Sequence, residues 1–197
     1  MTELARSSGS GMFDRMMRAA RLEVPLYEEV EADLSATNQA LMVVVIVAIA
    51  AGIGQALAAS LSGVPAGGLI GRLIYGVLSA LIGWVVWSYV VYFVGTRFMG
   101  GTATYGELLR TLGFAQSPGV LLILSFIPVI GGLISLVVFI WEIVTGFIGT
   151  RQALDIDNTK TAITIVIGIV ALIIVVAIVG TIVAIIFGAG AAVGRLF

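Results

Sequence analysis

TLGFAQSPGVLLILSFIPVIGGLISLVVFIW, residues 111–141, runs without one charged side chain. As a single helix it would be about 45 Å long at 1.5 Å per residue, against a bilayer hydrocarbon core of about 30 Å. One ordinary crossing cannot use all of it, and the apolar character continues to Thr150. Pro128, followed by Gly131 and Gly132, breaks the run near its middle, because proline removes a helical donor and glycine accommodates a turn. The stretch reads as a short span over 115–129 and a fuller one over 132–150. A re-entrant hairpin that does not cross is the alternative; two crossings is the reading adopted.

Three more uncharged runs flank this one: Leu41 to Leu61, Leu73 to Val94 and Thr161 to Phe187. Each reaches the roughly 20 residues that a helical crossing needs. The expected fold is all-α: a polytopic membrane protein with five transmembrane helices at about 38–61, 70–94, 115–129, 132–150 and 161–187. The composition agrees. Hydrophobic residues make up 60% of the chain and charged residues 11%, where soluble domains carry about a quarter charged.

Basic residues orient the bundle. With five spans, Arg6, Arg15, Arg18, Arg21, Arg97, Arg110, Arg151 and Lys160 share one side, and Arg72 and Arg195 the other. Positive residues stay inside, so the N-terminus is expected in the cytoplasm and the protein in the cytoplasmic (plasma) membrane. A hairpin at 115–150 would leave this sidedness unchanged. The first apolar run starts too late for a cleaved signal peptide, so the N-terminus is expected to be retained.

Much chemistry is excluded. There is no cysteine and no histidine, so thiolate sites, disulfides and the usual neutral-pH base are absent. No Walker A or GxGxxG pattern occurs. Asp155-Ile-Asp-Asn-Thr159 matches a DxDxT string, but that chemistry needs an α/β sheet. As a calcium loop it has Lys160 where glycine is required and Val166 where the bidentate glutamate belongs. It reads as a helix cap, with Asn158 or Thr159 in the capping position. Ser117 has no activating base nearby. The chain is expected to be no enzyme, with no cofactor or metal and no nucleic-acid partner.

Before the first span, residues 1–11 are small and polar and are expected to be disordered. From Gly11 to Arg21, Met12, Phe13, Met16 and Met17 recur at helical spacing, with Arg15, Arg18 and Arg21 on other faces. This is a basic amphipathic helix suited to the headgroup region; a short helix packed on the membrane domain is the alternative. Pro25 ends it or begins the next segment, Tyr27–Asp33 is acidic, and Asp33 or Ser35 is positioned to cap the first span. Residues 1–34 form a cytosolic segment and 35–197 the membrane domain. Tyr105–Phe114 reads as a second interfacial segment. Ala48, Gly52, Ala56 and Ser60 repeat every fourth residue, a spacing that lets a neighbouring helix, from this chain, a protein partner or a second copy, come close.

Glu142 is the one ionisable residue well inside an apolar segment. Such residues are costly and point to function. Its span also carries Trp141 and Thr145, and Glu142 is expected to face the bundle interior and a polar group from span one or two, such as Gln55, Ser79 or Ser88. Arg110, Arg151 and Asp155 flank the spans as further candidate contacts for a partner or ligand.

Several segments in order carry a family likeness: Tyr27-Glu-Glu-Val-Glu-Ala-Asp33, Leu109-Arg-Thr-Leu-Gly-Phe-Ala-Gln-Ser-Pro118, Ile127-Pro-Val-Ile-Gly131, Trp141, and Arg151-Gln-Ala-Leu-Asp155. From about Tyr27 onward the chain resembles the Yip1 family of integral membrane proteins, in its short prokaryotic form. The resemblance implies five membrane helices and a cytosolic N-terminus. Eukaryotic members are associated with vesicle trafficking, Rab GTPases and membrane shaping. Their long N-terminal region and Asp-Leu-Tyr-Gly-Pro segment are not in this sequence, so Rab binding is not expected. The expected role is non-enzymatic, in membrane organisation or as a scaffold for protein or lipid partners. A small-solute or ion transporter or channel component using Glu142 is the alternative.

Overall fold

Seven α-helices and one 3-10 helix make up the described part of a computed structural model, residues 11–63 and 68–193. The expected disorder at 1–10, the sequence Pro65 to Gly67, expected to help turn the chain between the first two spans, and the charges Arg6 and Arg195 lie outside the described residues. The α-helices are α1 (Met12–Ala20), α2 (Val24–Ala32), α3 (Ala36–Leu61), α4 (Leu69–Phe98), α5 (Tyr105–Ala115), α6 (Ile130–Leu154) and α7 (Asn158–Val193). The 3-10 helix covers Ser117–Phe126, between α5 and α6. Among the described residues there is no strand.

Five stretches are long and apolar enough to cross a membrane: Ala36–Leu61, Leu69–Phe98, Tyr105–Phe126, Ile130–Leu154 and Asn158–Ile178. The five-span, all-α architecture read from the sequence is what the chain forms. The third stretch differs most from expectation, beginning about ten residues early. Tyr105–Phe114 is not a separate surface segment: Leu108, Leu112, Phe114 and Ala115 are buried, and so are Arg110 and Thr111. Its alternation of polar and apolar residues mimicked an interfacial helix, but both faces meet protein. A capping box starts it, with the Glu107 N–H donating to the Thr104 hydroxyl and the Thr104 N–H to the Glu107 carboxylate.

Pro118 lies in the first turn of the 3-10 helix, where its missing N–H costs nothing. This stretch lies directly on α3. A Cβ at Gly54 would run into the Leu122 carbonyl oxygen, so only glycine permits the approach. The expected break then follows at Pro128. Val129 takes a left-handed φ of 67°, and the Gly131 N–H donates to the Ile127 carbonyl at 2.7 Å.

The small-residue stripe of α3 admits its neighbour closely at one residue: a Cβ at Gly52 would be 2.6 Å from Leu73 Cδ2 on α4. Ala48 and Ala56, on either side, line an open cleft toward α4. The most buried face of α3 is Ala40, Val43, Val44, Val47, Ala50 and Gly54. At the start of α3 the Asp33 carboxylate accepts both the N–H and the hydroxyl of Ser35. Before α7, Asp157 caps rather than Asn158 or Thr159, its carboxylate accepting the Lys160 N–H at 2.9 Å.

Pro25 begins α2 rather than ending α1. Both short helices pack on one end of the bundle. Met16, Ala19, Leu26, Tyr27 and Val30 join the same buried cluster as Val43, Trp84, Leu108, Phe114 and Leu154. The connections α4–α5 and α6–α7 meet at this end too, where the Thr102 N–H donates to the Leu154 carbonyl.

Candidate functional site

The basic and acidic segments of the N-terminal pair face each other. Arg15 lies 3.0 Å from Glu29 and 2.8 Å from Asp33, and also donates to Gln39. Arg18 lies 2.6 Å from Glu29 and 3.2 Å from Glu23. The Arg15 side chain is only 6% exposed. It therefore points into the protein, not toward headgroups, and Met16 is buried with it while Met12 is partly buried against the core. Phe13, Met17 and Arg21 face outward. The expected amphipathic helix thus divides its apolar residues between the bundle and the exterior. Its high density of arginine suggested a lipid-facing basic face; the acidic run after Pro25 supplies closer partners.

Four of the candidate contacts tie elements together. The Trp141 indole donates to the Ala20 carbonyl at 2.8 Å, holding the end of α1 against α6. The Arg110 guanidinium donates to the Val30 carbonyl at 2.9 Å and to the Glu31 carbonyl, at the C-terminal end of α2. A cation there satisfies carbonyls that the helix leaves unpaired and suits the negative end of its dipole. Arg151 donates to Gln152 and Asn158 across the α6–α7 turn. Asp155 accepts the Thr102 hydroxyl at 3.2 Å.

The electrostatics of this end follow. Burial, and then the neighbouring Glu107 and Asp155 carboxylates, push Glu31 up from 4.5 to about 7. The hydroxyl of Ser35, with Arg15, holds Asp33 below its usual range. Burial alone raises the Tyr27 phenol, whose oxygen has no hydrogen-bond partner.

Glu142 stands apart, nine residues before Arg151, or about 13 Å along the helix. Its carboxylate lies against Gly119 and Val47: a Cβ at Gly119 would be 2.5 Å from Glu142 Oε1 and from Val47 Cγ1. It borders two cavities. The larger, about 940 Å³, runs between α3 and α4 and contains Gln55, Arg72, Tyr75 and Gln116. The smaller, about 230 Å³, lies among α4, α6 and α7 and reaches Thr150. Glu142 therefore lines cavities within the bundle. The expected polar partner is not made: Thr145 donates to the Ala115 carbonyl at 2.6 Å, and Ser88, another candidate, has a buried hydroxyl with no partner.

Arg72 and Gln116, companions of Glu142 in one cleft, carry no mark of that role in the sequence. Their separation along the chain gave no signal, since only the packing of α3, α4 and the 3-10 helix brings them together. The complementarity of 15–21 and 28–33 was visible as opposite charge runs on either side of Pro25.

No curated protein and no solved structure matches the chain. The Yip1 domain model matches residues 27–192, which takes in α3 to α6 with the break at Pro128 and all of α7 but its last residue. With five apolar helices long enough to span a membrane and a match over most of its length, the chain belongs to the Yip1 family.

Proposed function

We propose that this protein is a non-enzymatic component of the cytoplasmic membrane that works by association, organising lipid around its bundle and scaffolding protein partners. The observation that carries the reading is the placement of α1. Trp141 holds it beside α6, and Phe13 and Met17 stay 72% and 54% exposed. The neighbouring face of α6 exposes Val137, Ile140 and Val144. An outward apolar pair beside an outward apolar helix suits lipid, and burial of both side chains in the headgroup–acyl boundary would anchor the cap. The small-residue faces of the spans offer room for a protein partner or a second copy.

The proposed orientation is N-terminus in the cytoplasm. Its support is the gathering of Arg15, Arg18, Arg97, Arg110, Arg151 and Lys160 near the α1–α2 end, with Arg72 at the other. The test of the function is purification from native membranes with the bound proteins and lipids identified by mass spectrometry, comparing wild type with Phe13→Ser/Met17→Ser. A defined set lost from the variant supports the association reading. The same set on both, or none on either, contradicts it.

A second reading, a transporter or channel component, is favoured by one observation: Glu142 borders both cavities. Intramembrane carboxylates of this kind mark ion and proton paths. Cation or proton flux in proteoliposomes that Glu142→Gln abolishes would establish it; equal flux from both proteins and empty vesicles would remove it.

A further inference from the structure

The larger cleft has a chemistry of its own. Small residues line both walls, Ala48 and Ala56 on α3 and Gly76 and Ala80 on α4, while the Leu73 side chain covers Gly52. Between two spans of a membrane protein, the space beside Leu73 suits a flexible apolar chain. At about 940 Å³ it sits near the top of the range for small-molecule sites, roughly 300–1,000 Å³. Arg72 and Tyr75, near the start of α4, line it and are exposed. Arg72 lies one turn inside the span; its N–H donates to the Gly68 carbonyl, and its guanidinium makes no ion pair or hydrogen bond among the described residues. A cation on an apolar span at the end of an apolar slot complements an anionic headgroup.

We infer that this cleft is a binding site for one glycerophospholipid from the leaflet at the α3–α4 end. The phosphate rests on Arg72, with Tyr75 in the same lining, and one acyl chain fills the slot over Ala56 and Gly76. Arg72 suits this because a guanidinium pairs two donors with one phosphate. Glu142 and Gln116 close the inner end of the slot and set how deep the chain reaches. The site rests on the lipid-association reading above, but concerns a different face of the protein from Phe13 and Met17.

Gly76 provides a clean probe. A side chain added there meets nothing within 4 Å, and its backbone is ordinary helix. Gly76→Leu therefore fills the slot without straining the fold. The experiment is native mass spectrometry of the full chain, delipidated in detergent and titrated with phosphatidylglycerol or with diacylglycerol of the same chains. The expected result is one retained phosphatidylglycerol and weaker retention of diacylglycerol. Arg72→Gln should weaken phosphatidylglycerol about tenfold, as loss of a charge-assisted contact implies, and leave diacylglycerol unchanged. Arg72→Lys should retain most of the binding, and Gly76→Leu should lose both lipids.

Equal retention of the two lipids by wild type would overturn the headgroup assignment. Phosphatidylglycerol binding unchanged in both Arg72→Gln and Gly76→Leu would overturn the site. A dimer that carries no lipid and that Gly76→Leu dissociates would give the cleft to a second copy instead. Loss of partners from the Phe13→Ser/Met17→Ser protein is a separate readout, so failure of the cleft and failure of the association reading can be told apart. Circular dichroism of each variant, expected to match wild type, shows that the fold is kept.

Discussion

Three arginines that look equivalent in sequence differ in what surrounds them. Arg15 is buried between Glu29 and Asp33, Arg18 bridges Glu23 and Glu29, and Arg21 is exposed. Arg15→Ala should destabilise the docking of α1 by about 2 kcal/mol, since it removes the cation beside Asp33 and leaves Glu29 to Arg18. Arg21→Ala should be within about 0.5 kcal/mol of wild type. Hydrogen exchange over residues 12–20 checks both. Glu31 makes a pH prediction. Its folded value of about 7 lies above its ordinary 4.5, so the folded state holds the proton more tightly. The stabilisation is complete below about 4.5 and is lost as pH rises to about 7. The α2 cap should loosen across that window, and Glu31→Gln should flatten the change. Exchange rates over residues 24–32, measured from pH 4.5 to 7.5, read it directly; a wild-type profile as flat as the variant's would refute it. Glu142 was legible as the one carboxylate inside a span. Its carboxyl-to-cavity geometry was not, because it depends on Gly119 and Val47, which no helical spacing connects to it.

At the scale of helices, the sequence showed the spans through their length and missed how they pack. The break at Pro128 was readable because proline and two glycines stand together. The extent of the third span was not. Arg110 reads in the sequence as a polar residue of an interfacial segment and a candidate partner contact, whereas it is buried and its guanidinium is satisfied by the carbonyls at the end of α2. The stripe at Ala48, Gly52 and Ala56 had the right spacing for a seam, and Gly52 makes one with Leu73; α3 also meets the 3-10 helix through Gly54 and α5 through Ala40 and Gly113. A Cβ at Gly113 would be 2.7 Å from the Ala40 Cβ. Gly113→Ala should therefore cost about 1–3 kcal/mol by overpacking. Gly76→Ala, in open space, should instead gain up to about 1 kcal/mol from helix propensity. Thermal unfolding in one detergent ranks the two; equal midpoints would contradict the packing of α3 on α5. For α1, Phe13→Trp in bilayers should be quenched by brominated lipid, with little effect of salt, because Arg15 and Arg18 are already paired with carboxylates. Quenching that high salt removes would mean the arginines hold headgroups instead.

Across the whole molecule, the central claim is that five helices cross, placing α1, α2 and the α4–α5 and α6–α7 connections on one side. The polar contacts at that end agree with one another: Arg110 with α2, Thr102 with Leu154 and Asp155, and Gln152 with Glu28. Charge distribution alone showed this sidedness, since every basic cluster falls in the same set of connections. It could not separate two crossings from a hairpin at 115–150, because both leave Arg110 and Arg151 together. The turn between the 3-10 helix and α6 is where the two differ. Val129 is 97% exposed there, whereas Gly131 is pressed against Ser125 and tolerates no side chain. A chain without cysteine accepts single probes without background. The decisive measurement is labelling of Val129→Cys and Asn158→Cys by a membrane-impermeant maleimide, in intact cells and in inside-out vesicles. With five crossings, Val129→Cys reacts only in intact cells and Asn158→Cys only in inverted vesicles. Reaction of both from the same side would contradict the five-crossing fold.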